Sequence, residues 1–245
     1  MPWSESGSTH FEARHEASDE RGALAVLELL ERTRESLARV FPRVPEEVSV
    51  VLHGGAGALA LAAPVLPLAW SACEPTARRY LAGWCSGRTL HVLAPAALER
   101  RASPVPASRD MLMLTPAALY AQLVIATNNR RLPPPLRPRH VRWAWLVWGA
   151  AAHFSGQTVF ARSAIARRLR EDRAPRFPPA LRDAALLGGT VFDLLERERG
   201  HGAAVSLAYT RPEGSPVHAL EQAFGRDLVH SQGIWRAHLA RLASP

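Results

Sequence analysis

The sequence contains no lysine, so all 30 of its fixed positive side chains are arginines. A guanidinium carries a planar fork of donors that suits carboxylate and phosphate groups, and it keeps its charge at physiological pH. The arginines are unevenly spread: residues 128–182 contain 12 Arg and 2 acids, whereas residues 1–100 contain 10 Arg and 12 acids. This surplus favours either an anion-binding surface or a solvated basic face, and composition does not separate the two.

Cysteine is scarce as well, with Cys73 and Cys85 as its two copies. Two cysteines exclude a disulfide framework, and a single bridge between them stays open at this point. No apolar run approaches the roughly 18 residues of a membrane-spanning helix. The amino terminus has no basic start followed by an apolar core, so no secretory signal is expected there. We therefore expect a cytoplasmic globular protein without a membrane span.

Hydrophobic periodicity divides the chain into a strand-rich first part and a helical second part. The first part is expected to contain a strand, a long helix, a second strand and a hairpin with Ser86–Gly87 at its turn, over residues 9–16, 21–41, 46–53 and 80–95. Further helices are expected over residues 115–129, 145–156, 161–172, 184–200, 218–224 and 227–243. The prediction is an α+β fold, with a small mixed β-sheet and a long helix in the N-terminal half and a helical C-terminal half.

The long first helix has apolar residues at helical spacing after an acidic start, "SDE". Six of its residues are expected to face the core: Leu24, Leu27, Leu30, Thr33, Leu37 and Val40.

Two strings in the second part, "WLVWGAAAHFSG" (145–156) and "ALEQAFGRDL…IWRAHL" (219–239), carry a family resemblance. They resemble the W-L-x-E-G-x-A helix and the A-L-E-x-A-F-G…W-x-x-x-L terminal segment of gluzincin metallopeptidases, in particular the bacterial peptidase MA-like family. The first string matches through Trp145, Leu146, Gly149, Ala151, Ser155 and Gly156. The resemblance covers most of the chain. It implies one zincin-like domain over residues 1–245, with an α/β sheet subdomain (9–107) and a helical subdomain (108–245).

The resemblance also implies a zinc site whose residues are missing here. In zincins two histidines one turn apart bind the metal, the glutamate beside the first is the general base, and a third ligand comes from the next helix. The HExxH positions fall on residues 120–124 or 121–125, and neither range contains His or Glu. In the second range Gln122 stands at the base position, where an amide accepts no proton at neutral pH. The vestigial active-site positions are Tyr120, Ala121, Gln122, Val124, Ile125 and Trp148, the last at the third-ligand position.

Other catalytic or metal-binding patterns are absent from the sequence. None of the ten histidines has another three or four residues away, the spacing that places two donors on one helical face. There is no G-x-S-x-G elbow, P-loop or G-x-G-x-x-G. His153 is the histidine nearest the implied cleft and is expected in its lining as a packing residue. We expect no catalytic residue, no metal ligand and no cofactor.

Three functional hypotheses remain. The first is a non-catalytic pseudopeptidase that binds a peptide or protein partner, or has a structural role, because the cleft of active relatives binds extended peptides by strand addition. The second is a module for nucleic acid or other polyanions, with Arg130, Arg131, Arg137, Arg139, Arg142, Arg167, Arg168 and Arg170 as candidates. It ranks lower because nucleic-acid binders normally add exposed aromatic residues. The third is a hydrolase of unrelated chemistry in the same cleft.

Overall fold

The computed structural model describes residues 2–129, 138–171, 173–210 and 214–244, and the side chains of residues 138–140 lie outside that description. The strands are β1 (Trp3–Gly7), β2 (Phe11–Glu16), β3 (Val48–His53), β4 (Gly83–Ser86) and β5 (Thr89–Leu93). The helices are α1 (Glu20–Ala38), α2 (Ala56–Ala62), α3 (Leu66–Ala72), α4 (Pro75–Tyr80), α5 (Pro95–Arg101), α6 (Ser108–Met113), α7 (Thr115–Asn128), α8 (Ala144–Phe154), α9 (Arg162–Leu169), α10 (Leu181–Arg199), α11 (His201–Ala208), α12 (Pro216–Phe224) and α13 (Leu228–Ala243).

The five strands form one mixed sheet in the order β1-β2-β3-β5-β4. The three central strands run parallel, and the edge strands β1 and β4 are antiparallel to their neighbours. The predicted α+β class with a mixed N-terminal sheet is therefore confirmed. The predicted hairpin turns one residue later than expected, at Gly87 and Arg88, because Ser86 pairs with Thr89. Gly87 has φ +58°, a left-handed conformation that glycine adopts without strain.

Helix α1 packs on the sheet through one buried face, which contains Ala23, Val26, Leu27, Leu30, Thr33 and Leu37. The expectation for Leu24 is wrong, since its side chain is 52% exposed. Leu24 lies about 100° around the helix from Ala23, and the small Ala23 takes the place against the sheet.

Helices α8 and α10 cross with their backbones in contact. A Cβ atom added to Gly149 would lie 2.4 Å from the carbonyl carbon of Gly188, so glycine permits this approach. The crossing fixes the position of α8, and with it the position of Trp148. Buried apolar side chains from both parts of the chain form one cluster that runs from Phe11 to Leu239. Among the described residues, no helix combines the length and apolar character that a bilayer crossing requires.

Candidate functional site

A small pocket of about 40 Å³ lies between the edge strand β4 and the helices α7 and α8. Helix α7 faces the pocket through residues spaced three and four apart, Thr115, Ala118, Leu119 and Gln122. Helix α8 contributes Trp148 and Ala151, one turn apart. The remaining lining residues are Tyr80, Leu81, Ala82, Gly83, Trp84, Gln157 and Ala185. The pocket is therefore mostly apolar, with the Gln122 and Gln157 amides among its polar groups.

Strand β4 is the edge strand of the sheet and borders this pocket. The Leu93 amide donates to the Ala82 carbonyl at 3.2 Å, and Trp84 lies opposite His91. Because hydrogen-bonded pairs alternate along an antiparallel ladder, Gly83 and Cys85 direct their N–H and C=O groups away from β5. Among the described residues, no other backbone or side-chain group hydrogen bonds to them. Since Gly83 is buried, its backbone groups lack the pairing that buried amides normally have.

Gly83 also allows β4 to pack closely on α7. A Cβ atom at this position would lie 2.6 Å from Leu119 Cδ1 and 2.7 Å from the His91 carbonyl oxygen. The Leu119 side chain could rotate away from a larger residue, but the His91 carbonyl belongs to the backbone of β5, so a side chain at position 83 would also disturb the pairing of β4 with β5.

The structure brings together two of the six vestigial positions, Gln122 and Trp148. The other four, Tyr120, Ala121, Val124 and Ile125, are buried in the core and do not line the pocket. Tyr120 is an example of a vestigial position that belongs to the core. Its hydroxyl donates to the Pro45 carbonyl at 2.8 Å, and burial raises the pKa of the phenol. In both candidate ranges for HExxH, 120–124 and 121–125, the two positions that would hold histidines lie in the core and not at the pocket.

The pocket lining contains no His, Cys, Asp or Glu among the described residues. Within the same described ranges, no group of three such residues has the arrangement of a metal site. No family model, curated protein or solved structure matches this chain.

His153 does not line this pocket, contrary to expectation. It lies five residues after Trp148, which turns it about 140° away around α8. Its Nε2 lies 2.7 Å from Glu196 Oε2 in a second cavity of about 330 Å³, and His201 Nδ1 lies 3.3 Å from the other oxygen of Glu196. Burial lowers the pKa of His153, and the hydrogen bond to Glu196 offsets only part of this effect.

The candidate anion-binding arginines do not form one set. Arg168 is fully buried, and its guanidinium donates to both carboxylate oxygens of Asp183 at 2.6 and 3.2 Å. The assignment of Arg168 to an anion-binding surface is therefore wrong, because its donors serve an internal ion pair. Arg142, Arg167 and Arg170 are exposed. Arg130, Arg131 and Arg137 lie outside the described residues, and so does the side chain of Arg139.

Both cysteines are free thiols, so the open question of a bridge is answered. Burial raises the pKa of each thiol to about 12. For Cys73 the nearby Asp183 carboxylate raises the pKa further. A thiolate is the reactive form, so neither cysteine has the environment of a catalytic nucleophile.

A histidine pair that the sequence pattern did not indicate lies on the sheet. His53 Nε2 is 3.3 Å from His91 Nδ1, and the rings stack with centroids 5.5 Å apart. Burial, with a further contribution from His91, lowers the pKa of His53 to about 4. The pair arises because β3 and β5 are parallel neighbours, a relation that residue spacing does not reveal.

Proposed function

We propose that this protein is a non-catalytic peptide-binding protein, a pseudopeptidase in the sense of the gluzincin resemblance. The observation that carries the proposal is the outer edge of β4, where Gly83, which lines the apolar pocket, and its neighbour Cys85 direct backbone groups away from β5 to which no described residue hydrogen bonds. An extended peptide that adds to a sheet edge satisfies such groups in the way a neighbouring strand would. The proposal includes a cytoplasmic location.

The two kinds of contact have different roles. Backbone pairing with Gly83 and Cys85 involves two donors and two acceptors, each hydrogen bond contributing about 1 kcal/mol in net terms. This contribution does not depend on the peptide's sequence. The pocket beside Gln122 and Trp148 has about 40 Å³ of space, so it accepts a small side chain rather than an aromatic one. Specificity is then a preference for a small residue at one position of the peptide.

The same geometry supports a revised alignment with the zincin motif. The α7 residues that face the pocket are Ala118, Leu119 and Gln122, which correspond to HExxH over residues 118–122. Under this alignment alanine and glutamine take the two ligand positions, leucine takes the base position, and Trp148 takes the third-ligand position. An alkyl side chain neither binds zinc nor accepts a proton. The proposal therefore expects no hydrolysis of the bound peptide.

A nucleic-acid partner remains the second candidate. The burial of Arg168 removes one of its candidate contacts, and Trp143, Trp145, Trp148 and Trp235 are buried rather than available for stacking on bases. We therefore favour a peptide or protein partner.

The test is selection of binding peptides from a displayed random library, followed by titration of the selected peptide against two variants. Cys85→Pro removes an outward N–H that makes no bond to β5, a position where an edge strand tolerates proline. Cys85→Val is the matched control, because it keeps the N–H and favours strand structure. We expect the proline variant to lose most of its affinity and the valine variant to retain it. Equal binding by both variants, or no selected peptide, would contradict the proposal.

A further inference from the structure

A third cavity, of about 260 Å³, lies among α9, α10, α13 and the 3-10 helix Gln157–Ala161. Its lining consists of Thr158, Val159, Arg162, Asp193, Arg197, His238, Arg241 and Leu242. None of these residues lines the β4 pocket. The cavity is therefore separate from the proposed peptide site, and a ligand in it is independent of the proposed peptide.

Positive charge dominates this cavity. Three arginines from three different helices converge on it: Arg162 from α9, Arg197 from α10 and Arg241 from α13. The carboxylate in the lining, Asp193, is half-buried, with Oδ2 3.2 Å from Arg197 Nε and 2.8 Å from His238 Nε2. Burial by itself raises the pKa of Asp193, but His238 and Arg197 outweigh this effect and lower it. The negative charge of Asp193 is thus already compensated by Arg197 and His238. The lining contains no further carboxylate to pair with the guanidinium groups of Arg162 and Arg241.

The cavity also contains buried polar groups that lack partners. Thr158 is 9% exposed, and its Oγ1 makes no hydrogen bond to any described residue. His238 is 1% exposed; its Nε2 pairs with Asp193 Oδ2 at 2.8 Å, and its Nδ1 makes no hydrogen bond to any described residue. Buried donors without partners are rare in folded proteins and call for an explanation. Both residues line the cavity, so a ligand in it provides a partner for these groups once a side-chain rotation turns them toward it.

We infer that this cavity binds a phosphate-sized oxyanion, free or as the head group of a small phosphorylated molecule. The Arg162 and Arg241 guanidinium groups supply charge and forked donors, the geometry that phosphate oxygens prefer. After such a rotation the Thr158 hydroxyl and His238 Nδ1 add donors from the buried side. The adjoining cavity of about 330 Å³ shares Thr158, Val159 and Asp193 with this one and adds the apolar Leu37 and Phe154. It has room for an organic group attached to the phosphate.

The charge contribution is tested by calorimetric titration of the full chain with inorganic phosphate at fixed ionic strength. Arg241→Gln is compared with Arg236→Gln, since both arginines are exposed on α13 but only Arg241 lines the cavity. Arg162→Gln is compared in the same way with Arg167→Gln on α9. Each cavity variant is expected to weaken binding by about tenfold or more, the scale of one charge-assisted hydrogen bond. The controls are expected to bind as the unaltered protein does.

The buried hydroxyl is tested by Thr158→Val, which keeps the shape of the side chain. This variant is expected to unfold at the same or a higher temperature without phosphate, because a buried unpartnered hydroxyl is unfavourable, and yet to bind phosphate more weakly. Titration with phenyl phosphate distinguishes the two sources of the anion: tighter binding than inorganic phosphate indicates a phosphomonoester, and equal binding indicates the free anion. Absence of saturable binding to both, or equal weakening by the control arginine variants, would overturn the inference.

Discussion

The backbone contact between α8 and α10 predicts that Gly188→Ala destabilises the protein, although alanine is the better helix former. The added Cβ would lie 2.6 Å from the Trp145 carbonyl oxygen and 2.8 Å from Gly149 Cα. Both are backbone atoms of α8, so relief requires the helices to separate rather than one side chain to rotate. Overpacking of this kind costs about 3 kcal/mol at the upper end of its range. The gain in helix propensity, about 1 kcal/mol, offsets part of this, leaving a net loss of about 2 kcal/mol.

Gly233→Ala is the matched control. Gly233 is exposed in α13, and a Cβ atom added there meets nothing within 4 Å. The same chemical change should therefore raise the free energy of unfolding by up to about 1 kcal/mol. For a chain of this size, these values correspond to a melting temperature about 4–8 °C lower for Gly188→Ala and about 2–4 °C higher for Gly233→Ala.

The assay is thermal unfolding followed by circular dichroism, with urea unfolding to obtain the free energies. The opposite signs of the two changes are the essential result. If Gly188→Ala were as stable as the unaltered protein, the backbones would not be in contact, and the position of Trp148 would need another explanation.

Three further predictions concern buried ionisable groups. Asp183→Asn should lower the free energy of unfolding by about 3 kcal/mol because it leaves the buried Arg168 charge with only the longer contacts to Glu171 and Glu74, at 3.5 and 4.0 Å, whereas Arg168→Met with Asp183→Leu should recover part of that loss in urea unfolding. The pKa of His53 is about 4 when folded and 6.5 when unfolded, so stability should fall by about 3 kcal/mol as the pH drops through that interval. A pH series of urea curves should show a smaller fall for His53→Gln. Because the pKa of Cys73 and Cys85 is raised to about 12, both should react with a thiol reagent at pH 8 far more slowly in the folded than in the unfolded protein.

The elements with strong periodicity could be predicted from the sequence. Residues 21–41, 46–53 and 80–95 give α1, β3 and the β4–β5 hairpin within a few residues. Strand β1 could not be predicted, because its residues are exposed or half-exposed and carry no apolar alternation. Its position is set by pairing with β2, which is a property of the assembled sheet.

The candidate site could be predicted only in part, because α7 is apolar on nearly every side. An amphipathic helix reveals which face is buried, but a helix surrounded by protein gives no such signal. The residues that face the pocket, Ala118, Leu119 and Gln122, therefore could not be separated from Tyr120 and Ile125 by pattern alone. Trp148, which the W-L-x-x-G pattern indicates, does line the pocket; whether it stands at a former ligand position stays a prediction.

Side-chain clusters formed by residues on different helices could not be predicted from the sequence, for a different reason. His153, Glu196 and His201 come together from three helices, and so do Asp193 and His238 from two. Spacing rules detect donors on one helix, whereas these pairs depend on how helices pack. The burial of Arg168 has the same origin, since its partner Asp183 lies 15 residues away on α10.

The central claim, that a peptide adds to the edge of β4, is tested most directly by residue-resolved amide hydrogen exchange with and without a library-selected peptide. Gly83 and Cys85 point away from β5, whereas Trp84 between them already pairs with His91. The peptide should slow exchange at Gly83 and Cys85 and leave exchange at Trp84 unchanged. Protection elsewhere on the molecule, with no change at Gly83 and Cys85, would contradict it.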